Sequence, residues 1–246
     1  MLNLRSDSMQ QNAPTVKEKF LSGFSSFLSM RRKLLVLFAI VLLLSIIGVA
    51  IYSEVRASIT DRSTALIEDL EDRYFEELDR LAEDIDNQRR IEILEPILSS
   101  LDNIIRRYRG HYAAQRALYL KGEIYFEAQQ FERAAENYSA LANRYRRSYL
   151  APIALNNAAV SYEELGDNDS AIRYYRRIID RYYNDYPHIS HVLFSLGRLH
   201  EATGDFSGAV EYYNMLNDRY ANRDWTSDWA VFSRNRIIYL RGAGKI

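Results

Sequence analysis

Three stretches of this 246-residue chain restate one another: FERAAENYSALANRY from Phe131 to Tyr145, NDSAIRYYRRIIDRY from Asn168 to Tyr182, and FSGAVEYYNMLNDRY from Phe206 to Tyr220. Ala134, Ala171 and Ala209 stand 37 and 38 residues apart. Self-similarity at such a period marks stacked units, each too small to hide its own apolar faces. Ahead of each alanine lies a second amphipathic segment: QRALYLKGEIYFEA (Gln115 to Ala128), PIALNNAAVSYEEL (Pro152 to Leu165) and SHVLFSLGRLHEAT (Ser190 to Thr203). Each block therefore predicts a helical hairpin. Gly122, Ala159 and Gly197 fall where its two helices touch, because a large side chain there would force them apart, and Tyr125, Tyr162 and His200 fill the next turn of that face. Between the helices come AQQF, LGDN and TGDF, where Gly166 and Gly204 suit a left-handed helix end and Asp167 and Asp205 suit the start of the next helix. Ala134, Ala171 and Ala209 admit close approach, and Tyr138, Tyr175 and Tyr213, with Leu141, Ile178 and Leu216, are expected to point at the neighbouring hairpin.

The small residue, the aromatic three later, the GD turn, then an alanine with an aromatic four later resemble tetratricopeptide (TPR) repeats over about Gln115 to Tyr220. Three departures stand out. The usual tryptophan-like site holds Leu118, Leu155 and Leu193, the usual proline after the second helix is missing, and the period exceeds the family's roughly 34 residues. The longer period and the terminal RY resemble bacterial periplasmic members, and the order of apolar segment and repeats resembles the single-span, translocon-associated type. The resemblance implies an all-α solenoid with repeats at 114–146, 151–183 and 189–221, a degenerate repeat at 78–110 and a capping helix at 226–241. Ile97, Leu101, Ile104 and Tyr108 lie in phase with the second helices, and Trp229, Phe232 and Ile237 are expected to shield the last hairpin.

The resemblance also implies a concave groove made chiefly by the first helices. It would be lined by Tyr119, Leu120, Glu123 and Phe126, then Ile153, Asn156, Asn157 and Val160, then His191, Phe194, Ser195 and Arg198. An extended or helical protein segment fits such a groove, since aromatics contribute apolar area at low entropic cost and asparagines both donate to and accept from a peptide backbone. The family's clamp for acidic chaperone tails needs basic side chains where Tyr119, His191 and Ser195 stand here, and only Asn157 fits it. A second arrangement leaves Tyr119, Leu120 and Phe126 packed on the degenerate first repeat.

Ahead of the repeats, LLVLFAIVLLLSIIGVAIY (Leu34 to Tyr52) is an uncharged run of 19 residues. At about 1.5 Å per residue it covers roughly 28 Å, close to a bilayer core. Arg31, Arg32 and Lys33 abut its start, and Met1 to Lys33 carry six basic and two acidic side chains. The positive-inside rule then places residues 1–33 in the cytoplasm, 34–52 across the membrane and the remainder on its far side, and the resemblance implies that the membrane is the inner one and the far side the periplasm. A cleaved signal peptide is the rival; Gly48, Val49 and Ala50 would suit it, but its basic region would be long and its apolar region longer than the usual roughly 7–15 residues. Phe20, Leu21, Phe24, Phe27 and Leu28 form an apolar stripe suited to a membrane surface or to a disordered tail. Residues 53–90 read as an acidic linker helix: Ser58 to Asn87 holds no Gly or Pro, and Ile67, Leu70, Tyr74, Leu78, Leu81 and Ile85 make one apolar seam. That seam serves either a short coiled coil between two copies or a fold onto the following domain.

Chemistry is sparse. The chain has no cysteine, which excludes disulfides, thiolate catalysis and cysteine-ligated zinc. No glycine-rich phosphate loop, GxSxG or HExxH motif occurs. His188, His191 and His200 are the one metal-ligand candidate set, and His200 takes an aromatic core site. Arginine runs such as RYYRRIIDRYY are balanced by acids, against nucleic acid as a partner. The expectation is a non-enzymatic, cofactor-free and metal-free scaffold that binds protein segments of envelope or secretion components and contacts the bilayer through Leu34 to Tyr52. The alternative is an organiser that self-associates through the linker helix without a peptide client.

Overall fold

A computed structural model describes Lys17 and residues 32–81, 85–220 and 228–246. The described residues hold helices and turns without strand: α1 (Arg32–Arg80), α2 (Asn87–Arg107), α3 (Tyr112–Glu127), α4 (Phe131–Arg144), α5 (Leu150–Glu164), α6 (Asn168–Tyr182), α7 (Ile189–Ala202), α8 (Phe206–Tyr220) and α9 (Asp228–Gly242). The amphipathic stripe before the apolar run and the first two residues of the expected cap lie outside the described residues. The chain divides into two units, residues 1–59 and 60–246.

In the first unit, residues 32–59 belong to α1, and nearly every large apolar side chain from Leu34 to Tyr52 is exposed. This helix is long and apolar enough to cross a membrane.

The second unit is a row of paired helices in which each helix from α2 onward packs on the next. Its first core joins Ile67, Leu70 and Tyr74 of α1 to Ile91, Leu94, Ile97, Leu98, Leu101 and Ile104 of α2 and to Ala113, Ala117, Leu120 and Ile124 of α3. The linker seam is thus spent inside the same chain, the second of the two arrangements open from sequence. Arg116 of α3 clasps Glu71 of α1 at 2.6 Å, and Lys121 of α3 meets Asp102 of α2 at 2.6 Å. One long helix from Ser58 to Asn87 does not form. α1 stops at Arg80, and α2 starts afresh where the Asp86 carboxylate accepts the amides of Gln88 and Arg89.

Within the hairpins α3–α4, α5–α6 and α7–α8, small residues meet aromatic ones. A Cβ added to Gly122 would stand 2.5 Å from the Tyr138 ring, and one added to Gly197 would intrude on Tyr213 still more closely. Ala159, Ala171 and Tyr175 share the core of the middle hairpin, and Ala134, Ala171 and Ala209 are fully buried. The tyrosines reach the next element as expected, with Asn157 beside Tyr138, Ser195 beside Tyr175 and Leu240 packed with Tyr213, and two of them serve their own hairpin as well. Tyr138 and Tyr213 turn back onto the glycine of their own hairpin, because the missing side chain leaves a hole that a ring fills better than water does. Leu141, Ile178 and Leu216 are fully buried.

The turns follow from residue type. Gly166 and Gly204 adopt φ of 72° and 81°, a left-handed conformation that costs a residue with a Cβ. Asp167 then accepts the Ser170 amide at 3.0 Å and Asp205 the Gly208 amide at 2.9 Å. The first hairpin has no glycine there, and Gln129 takes φ of 55°. The capping helix α9 buries Ala230, Ser233 and Leu240 against α7 and α8. Of the residues expected to shield the end, Trp229 packs on Phe194 and Ile237 is half-buried, but Phe232 stays 49% exposed.

Candidate protein-binding groove

The first helices α3, α5 and α7 carry the expected groove residues, and the structure sorts them into five environments. Leu120 and Ser195 are not available to a partner. Leu120 is 2% exposed and joins the core with α1 and α2, while Ser195 is 3% exposed and beside the Tyr175 hydroxyl. Both face the neighbouring helices instead of the open side. Ile153 lines a different cavity of about 630 Å³, among Arg146, Arg147, Tyr149, Arg181 and His188 at the edge where hairpins join. His191 and Phe194 lie under the indole of Trp229, with ring centroids 5.1 and 5.2 Å away, so the cap takes the contact a partner would make.

Arg198 is engaged as well. Its guanidinium pairs with Glu163 of the preceding first helix, and the same carboxylate accepts the Tyr175 hydroxyl at 2.8 Å. The motif recurs one repeat on: Arg236 of α9 pairs with Glu201, donating through Nε at 3.0 Å, and Tyr213 donates to Glu201 at 2.6 Å. Tyr175 and Tyr213 titrate well above the usual tyrosine range, first because they are buried and then because a carboxylate faces each hydroxyl. Burial works against the charge of Glu201, but the hydrogen bonds from Arg236 and Tyr213 outweigh it and hold its carboxyl below the usual range.

Glu123, Phe126, Asn157 and Val160 remain open. With Glu127 and Tyr138 they line a recess of about 220 Å³ between α3 and α5. Phe126 and Val160 are its apolar walls. Asn157 donates to the Tyr119 hydroxyl at 3.3 Å, the Tyr119 and Tyr138 rings lie 5.7 Å apart, and the neighbouring Asn156 donates to Asn157 at 3.4 Å. Asn156 Oδ1 is buried without a hydrogen-bond donor among the described residues. Burial raises the Glu123 carboxyl above its ordinary value, with Arg116 opposing. Tyr138, 2% exposed, is raised strongly, by burial and then by Glu123.

One set of organising residues escaped the sequence reading. The last tyrosine of the RY ending reaches back across a hairpin: Tyr145 donates to the Arg109 carbonyl and Tyr182 to the Arg146 carbonyl, both at 2.7 Å. The return of RY at 144–145, 181–182 and 219–220 was the available signal. Among the described residues no three His, Cys, Asp or Glu side chains stand close enough to hold a metal ion. His200 instead meets Asp205 through Nδ1 at 2.8 Å and packs on the Tyr212 ring.

Family models of repeat proteins agree with this geometry. Tetratricopeptide repeat families match residues 149–220 and 116–148. A TPR repeat-containing protein of Treponema pallidum (strain Nichols) is 32% identical over 95 residues, 39% of this chain and 39% of that protein. A solved structure of a Podosopora anserina putative kinesin light chain with nearly identical TPR-like repeats aligns at a TM-score of 0.49 and 12% identity, covering 65% of this chain and 84% of that one. BtubC (BKLC) from P. vanneervenii aligns at 0.46 and 13%, covering 75% and 90%. With hairpins, turns and small-on-aromatic contacts at matching positions, residues 116–220 of the chain are tetratricopeptide repeats.

Proposed function

We propose that the chain is a single-pass inner-membrane protein with residues 1–33 in the cytoplasm and the repeat domain on the periplasmic side. There it acts as a non-catalytic scaffold that docks an extended segment of another protein along α3 and α5 during secretion or envelope assembly. The family's repeats support a protein-binding role, and the exposed apolar helix behind a basic triplet supports the anchor. The observation that carries the docking reading is the recess at Glu123, Phe126, Asn157 and Val160, left open on a surface that the later repeats close with their own ion pairs. A photocrosslinking residue placed at Asn157 of the full chain in intact membranes should capture another protein, and the same probe at Glu136, exposed on α4, should not. Equal capture from both positions, or none from Asn157, counts against the groove. Protease added to spheroplasts should digest the repeat domain; full protection would reverse the topology.

A second reading, an organiser that associates with its own copies through α1, is favoured by Leu66 and Phe75, which stay 46% and 59% exposed although the neighbouring seam is buried. The probe moved to Phe75 would then yield a doubled chain.

A further inference from the structure

The three junctions between successive first helices are built on one plan, and the first lacks a part that the other two contain. Phe126, Glu163 and Glu201 occupy equivalent positions, 37 and 38 residues apart, as do Val160, Arg198 and Arg236, spaced by 38. At the second and third junctions a tyrosine hydroxyl donates to a glutamate, which an arginine of the following helix clasps. At the first, phenylalanine and valine replace the glutamate and the arginine. Tyr138, the counterpart of Tyr175 and Tyr213, has the Asn157 side chain beside it and lacks the carboxylate acceptor of its counterparts. Valine is shorter than the arginine of the other two junctions, and the 220 Å³ recess opens beside it, lined also by Phe126 and Tyr138.

We infer that this recess receives an arginine side chain from the docked protein segment, which supplies in trans the guanidinium that Arg198 and Arg236 supply in cis. This deepens the groove reading and rests on it. Its volume is below the roughly 300–1,000 Å³ of small-molecule pockets and fits one side chain. The walls suit such a side chain along its length: Phe126 and Val160 take the methylenes, and the phenol of Tyr138 and the carboxylates of Glu123 and Glu127 meet the planar head. Charge complements it too. Glu123 and Glu127 both line the recess, and Arg116, which acts on Glu123, is already held by Glu71 at 2.6 Å, so the recess offers carboxylates for a cation to satisfy.

The test uses the full chain in lipid nanodiscs and a phage-displayed library of random peptides of about a dozen residues. Phe126→Glu/Val160→Arg copies the two closed junctions and should fill the recess while leaving the circular dichroism spectrum unchanged. Binders whose capture this variant abolishes should share an arginine at one fixed position. Replacing that arginine by neutral, similarly shaped citrulline should weaken binding tenfold or more, as should Glu123→Gln/Glu127→Gln in the protein. Recess-dependent binders without a shared arginine, or indifferent to citrulline, would overturn the arginine inference and leave the groove reading standing. Absence of any binder sensitive to the filled junction would overturn both.

Discussion

Gly122 is the position at which the architecture can be broken with the smallest change. A Cβ there would stand 2.5 Å from the ring of Tyr138, which is 2% exposed and hemmed in by its own hairpin and the next. Alanine gains about 1 kcal/mol of helix propensity over glycine and loses roughly 1–3 kcal/mol to overpacking, so Gly122→Ala should lie between neutral and about 2 kcal/mol destabilising. The middle hairpin, which carries Ala159 opposite Tyr175, argues for the mild end. Leucine cannot share the space: it must expel the tyrosine ring, and the loss should be about 3–5 kcal/mol, the range for removing a large core aromatic. Tyr138→Ala alone should cost a similar amount. In the double variant Gly122→Leu/Tyr138→Ala, however, the leucine enters the hole the ring has left, and the combined loss should fall short of the sum by about 2 kcal/mol. Urea unfolding of the full chain in detergent, followed by far-ultraviolet circular dichroism at a wavelength of helix absorption, supplies the four corners of the cycle. Strict additivity, or a harmless Gly122→Leu, would refute the claim that the two helices nest through this contact.

Tyr182→Phe removes the hydroxyl that binds the Arg146 carbonyl and should cost about 1 kcal/mol in the same assay. Gly166→Ala forces a side chain onto a φ of 72° and should cost on the order of 1 kcal/mol. The pH dependence has a defined sign at Glu201: its folded carboxyl titrates below the unfolded one, so its contribution is present above the unfolded value and is lost as pH falls through the folded value. Glu201→Gln should therefore flatten the acid limb of a plot of urea midpoint against pH, and an unchanged limb would remove the ion pair with Arg236 from the account. His191 has the same sign. Burial lowers its folded value below the ordinary 6.5, so acidification through that value should destabilise the wild type more than His191→Phe.

Features whose cause is local were legible in the sequence. Gly122 and Gly197 are dictated by a ring across a helix contact, and Gly166 and Gly204 by a left-handed turn, so each leaves a residue-type signature at a fixed interval. The division of the groove was not legible, since it depends on pairings about 35 residues apart. Nothing in the sequence of α7 says that Arg198 turns to Glu163, or that Trp229 covers His191 and Phe194. Leu120 takes the second of the two arrangements open from sequence: one position beyond Tyr119, it packs in the core with α1 and α2 instead of lining the groove. The stop at Arg80 lacked a glycine or proline to announce it, although Asp86 followed by a fresh apolar period was a usable helix-start signal.

Amide hydrogen exchange on the full chain in nanodiscs tests most directly whether the hairpins hide their flanks only against one another. Units held by neighbours on both sides must open last, so α5 and α6 should exchange slowest and protection should decline toward α8 and α9. Fast exchange throughout α5 and α6, with the outer hairpins better protected, would contradict the stacked architecture and the groove built on it.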